Sequence, residues 1–159
     1  MYSKAKTTTT KLLILSLIVS VLLSAFFISG CNASKAEDFS YSVENNEVII
    51  RGYLGSDSKV VIPDKIECSK VTTIAEDAFY DNLIVESITI PDSVTTLEKD
   101  AIGKCENLTE ITMSDTLYYT YLDEFGYFSD TIYGCPNLYI NGVLMDAEYG
   151  SNKPRRLVN

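Results

Sequence analysis

The chain of 159 residues contains no histidine and no tryptophan. Without histidine, imidazole-based catalytic triads and HExxH zinc chemistry are unavailable. Positive charge is also scarce, with 13 Lys and Arg against 22 Asp and Glu and a formal net charge of −9. Three of the lysines, Lys4, Lys6 and Lys11, lie in residues 1–30, which hold no acid. The other 129 residues therefore keep 10 basic and 22 acidic groups, a formal charge of −12. Such a surface excludes a nucleic-acid partner, whose phosphates demand cations, and disfavours docking on anionic lipid through a basic patch. The tail cluster Lys153, Arg155 and Arg156 is read as a solvated terminus. Cysteine is sparse. Apart from Cys31 there are Cys68, Cys105 and Cys135, an odd number with no C-x-x-C, so neither a disulfide framework, a zinc site nor a thioredoxin-like motif is indicated. No glycine-rich loop is present to cradle phosphate. Adjacent carboxylates at Glu76-Asp77 and Asp123-Glu124 point apart and are read as solvated surface. No catalytic residue, metal or cofactor is expected.

What the chain does have is self-similarity. Shifted by 23 positions, Val71-Thr72-Thr73-Ile74-Ala75-Glu76-Asp77-Ala78-Phe79 lies over Val94-Thr95-Thr96-Leu97-Glu98-Lys99-Asp100-Ala101-Ile102. The register continues through Val85/Leu108, Ile88/Ile111, Thr89/Thr112 and Ile90/Met113. A fixed period in the twenties marks a solenoid, and a solenoid is usually a binding surface. Ile88 and Ile90 alternate with Ser87 and Thr89, and Ile111 and Met113 with Glu110 and Thr112. Strands of this kind send one apolar column inward and one polar face outward. Val94, Leu97, Ala101 and Ile102 supply the facing wall.

Upstream, Phe39–Val43 and Glu47–Tyr53 read as strands joined at Asn45-Asn46, residues that tolerate the positive φ of a tight hairpin turn. This N-terminal β-hairpin is expected to close the first end of the stack. Val60-Val61-Ile62-Pro63 anticipates Ile88-Thr89-Ile90-Pro91, with an extra loop of five residues, holding Cys68, before Val71. After Leu117 the register breaks into an aromatic stretch: Tyr118, Tyr119, Tyr121, Phe125, Tyr127 and Phe128. It returns at Ile132–Leu138, which matches Ile102–Leu108 at an offset of 30, so the third coil carries a seven-residue insertion. Tyr139–Leu144 looks like a last strand or turn pair. Two readings of the insertion stand side by side: an exposed patch that grips a partner, since tyrosine offers broad contact area with a polar tip, or rings folded over the end of the core. Cys105 and Cys135 hold equivalent places in successive coils and are read as a buried ladder of small thiols. A disulfide between them is the alternative.

Residues 1–30 are set apart as an address. A basic start is followed by the uncharged stretch Leu12 to Ile28 and then Ile28-Ser29-Gly30-Cys31, which describes a secretory signal. The last four residues resemble the lipobox of bacterial lipoproteins. That resemblance implies cleavage before Cys31, a diacylglycerol on its thiol, and a membrane-anchored chain on the extracytoplasmic face. An uncleaved anchor is the other reading, although the apolar stretch is at the short end for a spanning helix.

The repeat residues Ile88-Thr89-Ile90-Pro91-Asp92-Ser93-Val94-Thr95-Thr96-Leu97, then Ala101 and Cys105, resemble the BspA-like leucine-rich repeat family of surface proteins. Ala75 and Glu98 stand where that family usually has glycine, and Asn82 stands at the cysteine position. The resemblance implies a mostly β, short leucine-rich-repeat-type solenoid of two good coils and one degraded one. The expected organisation is signal peptide 1–30, tether 31–38, repeat domain 39–148 and flexible tail 149–159. The expected function is a non-enzymatic cell-surface lipoprotein that binds a surface or host protein, or a glycan. A structural subunit of an envelope assembly is the alternative. The candidate contacts are Ser87, Thr89, Glu110 and Thr112 on the strand face, and Tyr118, Tyr119, Tyr121, Phe125, Tyr127 and Phe128 in the insertion.

Overall fold

Strands pair with their own counterparts one coil further along the chain, and that pairing organises the whole fold. The computed structural model describes residues 34–122, 128, 130–146 and 153–154. In chain order the strands are β1 (Phe39–Glu44), β2 (Glu47–Tyr53), β3 (Lys59–Val61), β4 (Lys65–Ile66), β5 (Ser69–Ile74), β6 (Ser87–Thr89), β7 (Thr96–Leu97), β8 (Ile102–Gly103) and β9 (Glu110–Thr112). Helix α1 (Asp115–Tyr121) follows, and then β10 (Ile132–Tyr133), β11 (Tyr139–Ile140), β12 (Val143–Asp146) and β13 (Lys153–Pro154).

Three sets of parallel strands form the walls of the coils. One wall runs β2, β5, β7, with Ile50 beside Ile74 and Ile74 beside Leu97. A second runs β3, β6, β9, β11, with Val60, Ile88, Ile111 and Ile140 in one continuous column. The third is the pair β8 and β10, with Ile102 beside Ile132. The period of 23 is thus a physical register, since both Ile74↔Leu97 and Ile88↔Ile111 are 23 residues apart. The offset of 30 reappears as Ile102↔Ile132. Inward side chains from all three walls are buried, among them Val60, Ile74, Ile88, Leu97, Ile102, Leu108, Ile111, Ile132 and Leu138. Each fully buried aliphatic chain is worth roughly 1.5–3 kcal/mol before entropy is subtracted. Cys105 and Cys135 sit in this core as free thiols.

The corners between walls use left-handed backbone. Asp77, Asp100 and Asp130 have φ of 59°, 56° and 66° at matching corners, and Asp81, Lys104 and Gly134 have 53°, 52° and 64° at the next. Aspartate is favoured here because a short polar side chain can bond locally and offset the steric cost of that region. The carboxylate pair Glu76-Asp77 therefore reflects a corner requirement: Asp77 turns the chain, and the Glu76 N–H donates to Glu98 Oε2 at 3.0 Å.

Asn45 and Asn46 both take positive φ, 52° and 64°, as a two-residue hairpin turn requires. The segment expected to be a loop around Cys68 is a second hairpin, β4 against β5, turning at Glu67 and Cys68 with φ of 50° and 67°. Neither residue type announces positive φ, which is why the sequence reads as a plain loop there.

Both edges of the β3–β11 wall are covered. At the β3 edge the Ser34 N–H donates to the Val61 carbonyl at 2.8 Å, and the Val61 N–H donates to Ser34 Oγ at 3.1 Å. The described part of the stretch assigned to a tether is thus held against the sheet. At the other edge β12 pairs antiparallel with β11, and β13 with β12. Lys153–Pro154, within the expected tail, is accordingly paired backbone.

Candidate functional site

The outward residues of the β3–β11 wall form two rows. Strand alternation turns Ile88 and Ile111 inward, so their neighbours face out. Register places Lys59, Ser87, Glu110 and Tyr139 side by side, and Val61, Thr89 and Thr112 in the parallel row. Neighbouring strands are about 4.8 Å apart, so three adjacent strands suffice to bring a hydroxyl, a carboxylate and a phenol into one surface. Thr89, Glu110, Thr112 and Tyr139 are exposed, and Ser87 is half-buried. The four strand-face residues expected from the sequence are therefore brought together. Tyr139 is an addition the sequence reading missed. Carried onward, the offset of 30 pairs Tyr139 with Thr109. The sheet instead pairs Tyr139 with Glu110 and Ile140 with Ile111, one residue shorter. The signal was the apolar Ile140, which has to face inward as Ile111 does.

Beyond β9 the chain does not turn as the preceding coil does. Ser114 caps α1, its Oγ accepting from the Leu117 N–H at 3.2 Å. A serine cap is a strong local start signal and outweighs the poor helix propensity of Asp-Thr-Leu-Tyr-Tyr-Thr-Tyr. The helix buries Leu117 and Tyr118. Tyr118 packs edge-on to Phe128 with ring centroids 5.2 Å apart, and Phe128 is fully buried. Burial pushes the Tyr118 phenol up from its ordinary value. Tyr121 is half-buried, and its hydroxyl accepts a 2.7 Å hydrogen bond from the Leu97 N–H. Tyr119, 70% exposed, is the described tyrosine of this segment that faces solvent most fully.

The aromatic insertion is thus divided. Tyr118 and Phe128, proposed as contact residues, belong to the core, and Tyr121 pins the helix to β7. Tyr119 faces solvent. Phe125, Tyr127 and Cys31 lie outside the described residues. Packing explains the correction: the β2–β5–β7 wall stops at Leu97 while the other two walls continue, and the large rings close to that break cover the inward side chains it would have covered.

Between α1 and the turn after β6 lies an open cleft of about 340 Å³. Asp92 and Thr95 line one side, Ser114, Thr116 and Thr120 the other, and Val94 and Leu117 contribute the apolar part. The cleft adjoins the end of the exposed wall, since the Ile90 N–H donates to the Thr112 carbonyl at 2.8 Å immediately before both chains enter it.

A second surface cluster surrounds Gly103. Tyr80 and Tyr133 lie with centroids 6.5 Å apart, and Lys104 Nζ lies 5.2 Å from the centre of the Tyr80 ring. A side chain at Gly103 would meet the Tyr133 ring at 2.8 Å and the Tyr80 ring at 3.0 Å. The Tyr133 phenol is pushed up to about 12, first by burial and then by its hydrogen bond with Tyr80 and the charge of Asp100. Among the described residues no group of three or more Asp, Glu, Cys or His is set to hold a metal ion.

Comparison with known proteins adds the repeat type. Residues 58–134 match the family described as BspA type leucine rich repeat region (6 copies). Among solved structures, a leucine-rich repeat protein of T. pallidum is similar at 25% identity and a TM-score of 0.41, over 51% of this chain and 43% of that one. A leucine-rich cell surface protein of Faecalibacterium prausnitzii A2-165 is similar at 22% identity and a TM-score of 0.46, over 55% of this chain and 25% of that one. The matches thus span less than half the length of either solved chain. No curated protein matches.

Proposed function

We propose that this chain is a lipid-anchored, outward-facing interaction module that binds a partner through the exposed wall of β3, β6, β9 and β11 and performs no catalysis. The observation that carries this reading is the exposed strand face, on which Ser87, Thr89, Glu110, Thr112 and Tyr139 stand together on three adjacent strands. A phenol beside a carboxylate and several short hydroxyls is a surface of the kind recognition uses: an aromatic anchor with adaptable polar neighbours. Anchoring rests on the lipobox-like Ile28-Ser29-Gly30-Cys31, with Cys31 as the acylated residue.

The wall is tested by the double variant Thr89→Arg and Glu110→Lys, which leaves every inward residue in place. Intact cells carrying it should lose capture of a protein ligand from a host-matrix or surface-protein array while keeping surface expression. Undiminished capture would move the interface elsewhere. A stable, stoichiometric complex with another envelope protein, with no external ligand, would instead favour a structural subunit. Anchoring is tested separately, because Cys31→Ala should abolish metabolic acyl labelling, and unchanged labelling would refute the lipid assignment.

A further inference from the structure

The cleft beside α1 has a composition that selects a ligand class. Where the coil after β6 turns directly from Pro91 to Val94, with the Val94 N–H donating to the Pro91 carbonyl at 3.0 Å, the coil after β9 places a helix. The two cannot stack as strands do, and the space left between them is the cleft. Its volume of about 340 Å³ is at the lower end of the roughly 300–1,000 Å³ typical of ligand pockets.

Its walls carry oxygen and no nitrogen cation. Among the described residues the Asp92 carboxylate and the Thr95 and Thr116 hydroxyls make no side-chain hydrogen bond. Ser114 Oγ accepts from the Leu117 N–H, which leaves its own O–H free to donate. The Thr120 O–H donates to the Thr116 carbonyl at 2.7 Å, which leaves its lone pairs free to accept. The cleft therefore offers interleaved donors and acceptors over an apolar base of Val94 and Leu117. With Asp92 present and no Lys or Arg in the lining, an anion is repelled. A ligand whose every polar atom both donates and accepts, and which has an apolar C–H face, satisfies all of these groups at once.

The walls are also fixed before any ligand arrives. The Ser114 cap holds one end of the helix, the Leu97–Tyr121 hydrogen bond holds the other, and Leu117 and Tyr118 anchor its inner side. A preformed site loses little ordering entropy on binding.

We propose that this cleft binds one neutral sugar unit, with Asp92, Thr95 and Thr116 as its hydrogen-bonding contacts. The proposal rests on the reading of the chain as a binding module and names a ligand class for a site next to its wall.

The test is a nuclear magnetic resonance titration of the purified, isotope-labelled full-length chain with glucose, galactose and N-acetylglucosamine, with glucuronate and a lysine peptide as contrasts. The expected result is saturable shifts in the amides of residues 92–95 and 114–120 with at least one neutral sugar, in the millimolar range. Asp92→Ala and Thr116→Val should each weaken binding tenfold or more while the remaining spectrum, and so the fold, is unchanged. Glucuronate should bind more weakly than glucose, and Asp92→Asn should reduce that difference. Shifts that do not saturate with any neutral sugar, tighter binding of glucuronate, or preferential binding of the lysine peptide in the cleft would each overturn the proposal. If sugars fail while protein capture still depends on Thr89 and Glu110, the interaction-module reading stands and only the sugar site falls. Sugar binding that survives Thr89→Arg with Glu110→Lys separates the two sites in the other direction.

Discussion

Asn141 lets the parallel wall stop, and its replacement should show how. In earlier coils the residue after each outward strand donates its N–H to the next coil's carbonyl: Ile62 to Thr89 at 3.0 Å, and Ile90 to Thr112 at 2.8 Å. Met113 is next in that series, but the chain beyond β11 reverses at Asn141-Gly142, with φ of 49° and 78°, into β12. The Asn141 side chain supplies the missing edge. Its Oδ1 accepts from the Met113 N–H at 2.9 Å, and its Nδ2 donates to the Met113 carbonyl at 3.0 Å. Met113 is buried, so its backbone groups have poor access to water. Two hydrogen bonds at about 0.5–1.5 kcal/mol each give a loss of about 1–3 kcal/mol for Asn141→Gly. Asn141→Ala loses the same two bonds and, unlike glycine, keeps a Cβ in the left-handed region with no local side-chain bond to offset it, at about 1–2 kcal/mol, for a total of about 2–5 kcal/mol. Urea denaturation followed by circular dichroism should rank the midpoints wild type, then Gly, then Ala, with unchanged slopes. The reasoning is refuted if both variants fall within about 0.5 kcal/mol of wild type, or if Gly is the more damaging of the two.

Four further outcomes follow from the same geometry. Gly103→Ala should cost about 1–3 kcal/mol by overpacking against Tyr80 and Tyr133, and the cost should shrink when Tyr80 is also Ala, as a double-mutant cycle in chemical denaturation would measure. Ile111→Ala, at the centre of the inward column, should lose about 2–5 kcal/mol in the same assay. Of Cys68, Cys105 and Cys135, only exposed Cys68 should react quickly with a thiol reagent. The buried pair should react only on unfolding, because both thiols are closed off from solvent in the folded chain. Tyr133 should titrate late in the folded protein. It stays neutral in the folded state up to about 12, while the unfolded phenol ionises near 10. Its contribution to stability is therefore full below pH 10 and falls as pH rises from 10 toward 12, and Tyr133→Phe should abolish that late step in ultraviolet difference titration.

The coil register was legible because it is written in apolar spacing. Val60/Ile88, Ile88/Ile111, Ile74/Leu97 and Ile102/Ile132 all pair as the offsets of 28, 23, 23 and 30 imply. The turn at Asn45-Asn46 was legible because asparagine tolerates positive φ. The turn at Glu67-Cys68 was not, since tertiary pairing of β4 with β5 imposes a backbone its residues do not advertise. Helix α1 was hidden for the opposite reason. Its tyrosines and threonines favour strands, and only the cap at Ser114 and the burial of Leu117 and Tyr118 speak for a helix. The wall of Ser87, Thr89, Glu110 and Thr112 followed from alternation alone. The cleft did not, because Asp92 and Thr116 meet only once the helix exists.

The covered edges of the β3–β11 wall also bear on how copies of this chain can meet. A repeat stack whose terminal strand is bare can pair a further coil there. Here Ser34 occupies one edge, and Asn141 with the antiparallel β12 occupies the other. Neither end of this wall therefore offers a free strand edge to a further coil. A chain truncated before Asn141 would present a naked parallel edge at β11, and a copy that had also lost Ser34 would offer the matching edge at β3. Such ends join head to tail without closing, which is the geometry of a filament.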